Sequence, residues 1–189
     1  MWNASATDSG LARLHPLRFR ARRPMSFAIT CLNAGLERTG WNRMDALKLL
    51  ALDEEDLGVV SAHVQDAVFK VAGILYDARR HQFSLVINRF AWEKAEGKRR
   101  SFERRRALLL FKCVTAVRSL GFDRTDMEAV LDLLALRFSV KGEGPEGTVE
   151  IVLAGDALIA LDVECIEAQL ADTGGAWETA FKPRHPEGD

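Results

Sequence analysis

Between Glu93 and Arg106 the chain carries Lys94, Lys98, Arg99, Arg100, Arg104, Arg105 and Arg106 against three acids, Glu93, Glu96 and Glu103. The net charge of these 14 residues is +4. Phe90 and Trp92 precede the cluster and Phe102 lies within it. Guanidinium groups beside aromatic rings are what phosphate contact combined with base stacking requires. A long solvated hairpin loop has the same composition, so the pattern allows two readings. Asn88 and Arg89 sit in a strand-like run with aromatic neighbours, where burial is costly unless they are paired. They are either members of a fold-stabilising polar network or part of a recognition edge. The expected contact surface joins Asn88, Arg89 and Trp92 to Lys98, Arg99, Arg100, Arg104, Arg105 and Arg106.

Other reactive side chains are sparse. None of the H-E-x-x-H, G-x-S-x-G, P-loop or G-x-G-x-x-G patterns occurs, so no reaction is named by motif. His63 has Asp66 three residues on, a spacing that suits an acid/base pair and equally an exposed helix face. Cys165 is expected near the start of a final helix, where a thiol can become reactive, although a small buried hydrophobe is the plainer account. Cys113 lies in an apolar run and reads as core. Glu164 and Glu167 could hold a divalent ion, but first-turn acids already have a helix-dipole reason to exist. No metal and no cofactor is expected. A pocket lined by His63, Cys165 and Glu167 is the alternative site, and it would make the protein a small-molecule binder or an enzyme.

The chain has 189 residues, 48% hydrophobic and 28% charged, the balance of a globular protein. Its formal net charge of −1 leaves no global field for a polyanion, so nucleic-acid contact would need a local patch. No apolar run approaches the length of a membrane-spanning helix, so no membrane association is expected. Cys31, Cys113 and Cys165 stand far apart with no C-x-x-C pair, which fits a reducing compartment and a cytoplasmic protein.

The charge is divided unevenly. The first 44 residues hold seven arginines, no lysine and two acids, net +5, and the remainder is net −6. Residues 1–43 show no helical or strand period and are expected to be a disordered extension. A secretory signal, a transit peptide and a mis-assigned start before Met44 all fit this composition; the last is the expectation adopted.

The rest of the chain has clear periods. Leu47 to Leu52 reads as a strand. Asp53 supplies a helix N-cap, with Glu54, Glu55 and Asp56 in the first turn, and a helix over about 54–66 buries Leu57, Val60 and Val64. Phe69 to Leu75 and Phe83 to Ile87 form a hairpin around Asp77 to Arg80. Residues 106–118 read as one long central strand, and Leu131 to Val140 follows as a strand after a turn at Asp123 and Asp126. Gly142 to Gly147 is a break, after which Val149–Leu153 and Leu158–Val163 make a second hairpin. A final helix is expected from Asp162 to about Thr173, followed by a loose tail over 176–189. The expected fold class is therefore α+β. It is a mostly antiparallel sheet or partly closed barrel of about seven strands with two helices, numerically like a pleckstrin-homology barrel, in a single domain over 44–175.

The runs Asp45–Leu57, Asn88-Arg-Phe-Ala-Trp-Glu, Arg104-Arg-Arg-Ala-Leu and Glu164-Cys-Ile-Glu-Ala-Gln-Leu-Ala-Asp, with Trp177, resemble a small family of uncharacterised proteins. That family is a domain of unknown function found mainly in alphaproteobacteria. The resemblance spans about residues 45–186 and implies no catalytic or ligand residue. The expected function is a non-enzymatic, macromolecule-binding domain acting through its basic-aromatic loop. Its partner would be a protein or a weakly held nucleic acid or other anion. A homodimer formed through an exposed sheet edge is a further alternative.

Overall fold

Asp53 starts the first helix. Its side chain accepts a hydrogen bond from the Asp56 N–H at 2.8 Å, satisfying a donor that the helix cannot pair internally. Three acids fill the first turn, and Leu57, Val60 and Val64 form the buried stripe expected from their spacing. The computed structural model describes residues 15–16, 46–95 and 103–179. The elements are β1 (His15–Pro16), β2 (Lys48–Ala51), α1 (Glu54–Val64), β3 (Ala67–Lys70), β4 (Ile74–Asp77) and β5 (Gln82–Phe90). There follow a single helical turn, α2 (Trp92–Ala95), then β6 (Glu103–Phe111), β7 (Val114–Leu120) and β8 (Val130–Val140). The last are β9 (Gly147–Leu153), β10 (Leu158–Val163) and β11 (Ala168–Glu178).

All described pairings are antiparallel and belong to one 11-stranded sheet of order β1-β7-β10-β9-β8-β3-β5-β6-β11-β2, with β4 on β5. This corrects the expected fold class. Among the described residues the protein is mostly β, an open sheet with one helix longer than a turn, and it is neither a two-helix α+β fold nor a closed pleckstrin-homology-like barrel. The expected last helix is β11. Ala168 and Leu170 are buried while Gln169 and Ala171 are half-buried, so the period that prevails is two, not 3.6. β11 continues past residue 175, pairing Ala176, Trp177 and Glu178 with Arg105, Arg104 and Glu103.

Two further strands were expected to be continuous and are not. The run after Ala67 is interrupted by a 3-10 turn, Val71–Gly73, between β3 and β4. The long run after Arg106 breaks at Lys112–Cys113, where Cys113 takes a left-handed backbone, φ 57°. β6 before this break pairs antiparallel with β11, and β7 after it pairs antiparallel with β10. The two bends are tied together: Glu164 N–H donates to the Cys113 carbonyl at 3.0 Å and Lys112 N–H to the Glu167 carbonyl at 2.9 Å.

The core is a single cluster drawing on every element from β2 to β11 except α2. At its centre the register aligns three strands. Phe83, Leu85 and Ile87 of β5 face Phe111, Leu109 and Ala107 of β6, while Ala168 and Leu170 of β11 face Phe111 and Leu109. Replacing Asp53 with alanine removes the cap without touching this core. Urea denaturation should show a loss of about 1 kcal/mol.

Candidate functional site

The two-residue period that fills the core does not stop at Ile87. Arg89 is the next inward position on β5, and Arg105, directly opposite, is the next inward position on β6. Asp172 holds the same face of β11, two residues beyond Leu170. Two guanidinium groups and one carboxylate thus extend the apolar row of three adjacent strands, and Arg89 is fully buried.

All five N–H donors of Arg89 are engaged. Nε and Nη2 grip Asp172 in a fork at 2.8 and 2.9 Å. Nη1 and Nη2 make a second fork on Glu93 at 3.1 and 2.9 Å, and Nη1 also reaches the Phe90 carbonyl at 3.5 Å. Asp172 accepts in addition from the Leu47 N–H at 3.0 Å, and its own N–H donates to the Leu47 carbonyl at 3.0 Å. Arg105 lies 3.6 Å from Asp172 and 3.5 Å from Glu103. Burial opposes the charge on Arg89, but its bonds to Asp172 and Glu93 raise its pKa above the ordinary arginine value. Burial would likewise push the Glu93 carboxyl up. The Arg89 hydrogen bonds, its own backbone amide and the Arg89 and His63 charges outweigh that, holding it below the usual glutamate range.

The outward residues of the same segment brace the end of α1. The Arg104 guanidinium donates from Nη1 to the Asp66 and Asn88 carbonyls, each at 3.2 Å. Trp92 donates from Nε1 to the Gln65 carbonyl at 3.3 Å, and its ring lies 4.5 Å from that of Phe90. Asn88 is half-buried, paired through its backbone with Val68 and Arg106. Arg106 is exposed. Lys98, Arg99 and Arg100 lie outside the described residues. Of the expected contact surface, then, Arg89 and Arg105 meet inside at Asp172, Arg104 and Trp92 bond to backbone carbonyls of Asp66, Asn88 and Gln65 on the other side, and Arg106 is exposed.

The alternative pocket of His63, Cys165 and Glu167 is not assembled. His63 Nδ1 lies 3.9 Å from Glu93 Oε2, at the Arg105 end of β6, and has no hydrogen-bond partner among the described residues. Cys165 and Glu167 lie at the other end, beyond Phe111, which the rise of a strand puts about 25 Å away. There Glu167 pairs with Lys112, and Cys165 touches Cys113. No helix begins at Cys165, which removes the dipole argument for its reactivity. A groove of about 460 Å³ between α1 and β8–β9 is lined by Glu54, Leu57, Gly58, Leu136, Arg137, Phe138, Ser139 and Glu150, and includes none of these residues. Sequence reasoning missed Asp172 as the partner of Arg89. The signal was present, because continuing the alternation from Phe83 to Arg89 puts a cation in the core, and a buried cation requires an acid.

The class of protein so defined is an antiparallel β protein with an inward-facing arginine–carboxylate network at one end of its central strands. Among the described residues no helix is long and apolar enough to cross a membrane. The chain belongs to the family described as protein of unknown function (DUF2948), whose model matches residues 47–185. No curated protein and no solved structure matches it.

Removing Asp172 takes the shared carboxylate from two buried guanidinium groups. Asp172→Ala should cost about 3–5 kcal/mol in urea denaturation, and a loss below about 1 kcal/mol would show that the network does not hold the sheet. Glu93 titrates lower folded than unfolded, so its contribution is complete above the ordinary glutamate range and disappears as the pH falls through the folded value. Glu93→Gln should therefore be less stable than the parent at neutral pH, with the difference vanishing in acid. Paired thermal melts across that range measure it.

Proposed function

We propose that the protein is a non-enzymatic binding module that holds an anionic macromolecule through the basic segment between β5 and β6. The observation that supports this is the inward commitment of Glu93. It is forked by the buried Arg89 at the start of the segment, so it is not available to the cations that follow. The sequence of the segment carries seven cations against three acids, and this bond takes one of those acids inward. Arg106 is exposed.

The division of labour follows from the bonds. Arg89, Arg104, Arg105 and Trp92 anchor the base of the segment, and Lys98, Arg99, Arg100 and Arg106 make the contacts. With the Trp92 indole committed to Gln65 and its ring to Phe90, base stacking has less to draw on than phosphate contact. The binding expected is salt-sensitive and indifferent to sequence, with nucleic acid as the partner. Two free thiols, Cys113 and Cys165, suit a reducing cytoplasm as the setting.

Fluorescence anisotropy with labelled single-stranded and duplex oligonucleotides at increasing salt tests this. The parent protein should bind with an affinity that falls steeply with salt. The combined variant Lys98→Ala, Arg99→Ala, Arg100→Ala should flatten the slope of log K against log salt by about 2 to 3. Binding that is absent at low salt, or unchanged in the variant, overturns the proposal.

A further inference from the structure

At the end of β6 away from the arginine network, the bend between β6 and β7 meets the bend between β10 and β11, and each supplies a cysteine. Both are free thiols and both are half-buried. The Cys165 thiol donates to Cys113 Sγ at 3.2 Å. Cys113 reaches this contact from a left-handed backbone, φ 57°, a conformation that glycine or asparagine ordinarily fills. The flanking bonds fix it there: Val114 N–H donates to the His81 carbonyl at 3.0 Å, and the Glu164–Cys113 and Lys112–Glu167 backbone bonds join the two bends. The thiols meet because the backbone is held, and a non-glycine residue kept in this region marks a position with a job.

We infer that Cys113 and Cys165 form a dithiol site that a small neutral hydroperoxide converts to an intramolecular disulfide. The surroundings select the oxidant. Glu167 Oε2 lies 4.0 Å from Cys113 Sγ, its other oxygen is paired with Lys112, and Glu164 is adjacent, so an anionic oxidant meets carboxylates at the entrance. Hydrogen peroxide carries no charge and is small enough for a half-buried sulfur.

The chemistry closes in two steps. The Cys165 thiolate attacks the O–O bond, which breaks; one oxygen leaves as water or alcohol after taking a proton, and Cys165 becomes a sulfenic acid. Cys113 sulfur then displaces the hydroxyl, which leaves as water with the Cys113 proton, and the S–S bond forms. The two sulfurs are oxidised and the peroxide is reduced. The order of attack agrees with the local chemistry. The hydrogen bond with Cys165, burial, and the negative charges of Cys165, Glu167 and Glu164 push the Cys113 thiol up to about 11, so Cys113 keeps its proton for the second step. The site lies apart from the basic segment and does not depend on the binding reading.

The test is peptide mapping of the full chain after hydrogen peroxide treatment and iodoacetamide capping, without reductant. A Cys113–Cys165 cross-linked peptide should form at least about tenfold faster in the folded protein than in urea, because the fold supplies the proximity. It should disappear on treatment with dithiothreitol. In Cys113→Ser, the sulfenic acid should persist at Cys165 and be trapped by dimedone. Full alkylation of both cysteines after peroxide, equal rates in folded and unfolded chain, or no dimedone adduct in Cys113→Ser would each overturn the inference.

Discussion

A guanidinium group without contact with water must find an acceptor for every proton it carries, and Arg89 satisfies that demand with elements far apart in the chain. Asp172 comes from β11, 83 residues on, and Glu93 from the helical turn four residues on. Through Asp172 the same charge reaches Leu47 at the entrance to β2 and Arg105 on β6. Four segments are therefore committed to one geometry. Burying ions is expensive, and an apolar replacement of similar volume can be as stable or more so. What the network supplies is orientation: a fork on each carboxylate tolerates little change in angle, so it specifies how β11 lies on β6 and where the chain turns after β5.

Local chemistry was the legible part. The Asp53 cap, the α1 stripe, the turn at Asp77 and the hairpin between β9 and β10 are each set by residues close in sequence, and each formed where its residues indicated. The failures share a cause. From Val163 to Leu170 the helix and strand periods overlap, and only β6 lying alongside, which pairs Ala168 with Phe111 and Leu170 with Leu109, decides between them. Lys112–Cys113 looked like the middle of a strand because nothing in a cysteine announces a left-handed backbone. For the site, residue type was legible and partnership was not. The sequence shows that Arg89 needs a partner, but Asp172 stands in a segment whose pattern suits a helix, and a helix gives it the wrong face and the wrong neighbour.

The two notable groups of the molecule occupy opposite ends of β6, and both are held by β11 or the bend that leads into it. At one end the contacts are ionic, with every donor of Arg89 engaged; at the other, two sulfurs meet at a place where the ribbon changes direction. Between them lies a plain apolar row, Ala107, Leu109 and Phe111. Chemistry is thus concentrated where the strand enters and leaves the core, and the middle does nothing but pack. This is the arrangement expected when irregular backbone needs polar or special side chains to hold it and regular backbone does not.

The position of β11 between β6 and β2 has a consequence for how the molecule is made on the ribosome. A domain is assembled while its chain is still being extended, and here β11, which joins β2 to the middle of the sheet, comes last among the described strands. Until it emerges, Arg89 and Arg105, which face each other across β5 and β6, have Glu93 and Glu103 beside them but lack the carboxylate that lies against both. A single aspartate on the last described strand therefore completes a clamp that the earlier strands leave half made.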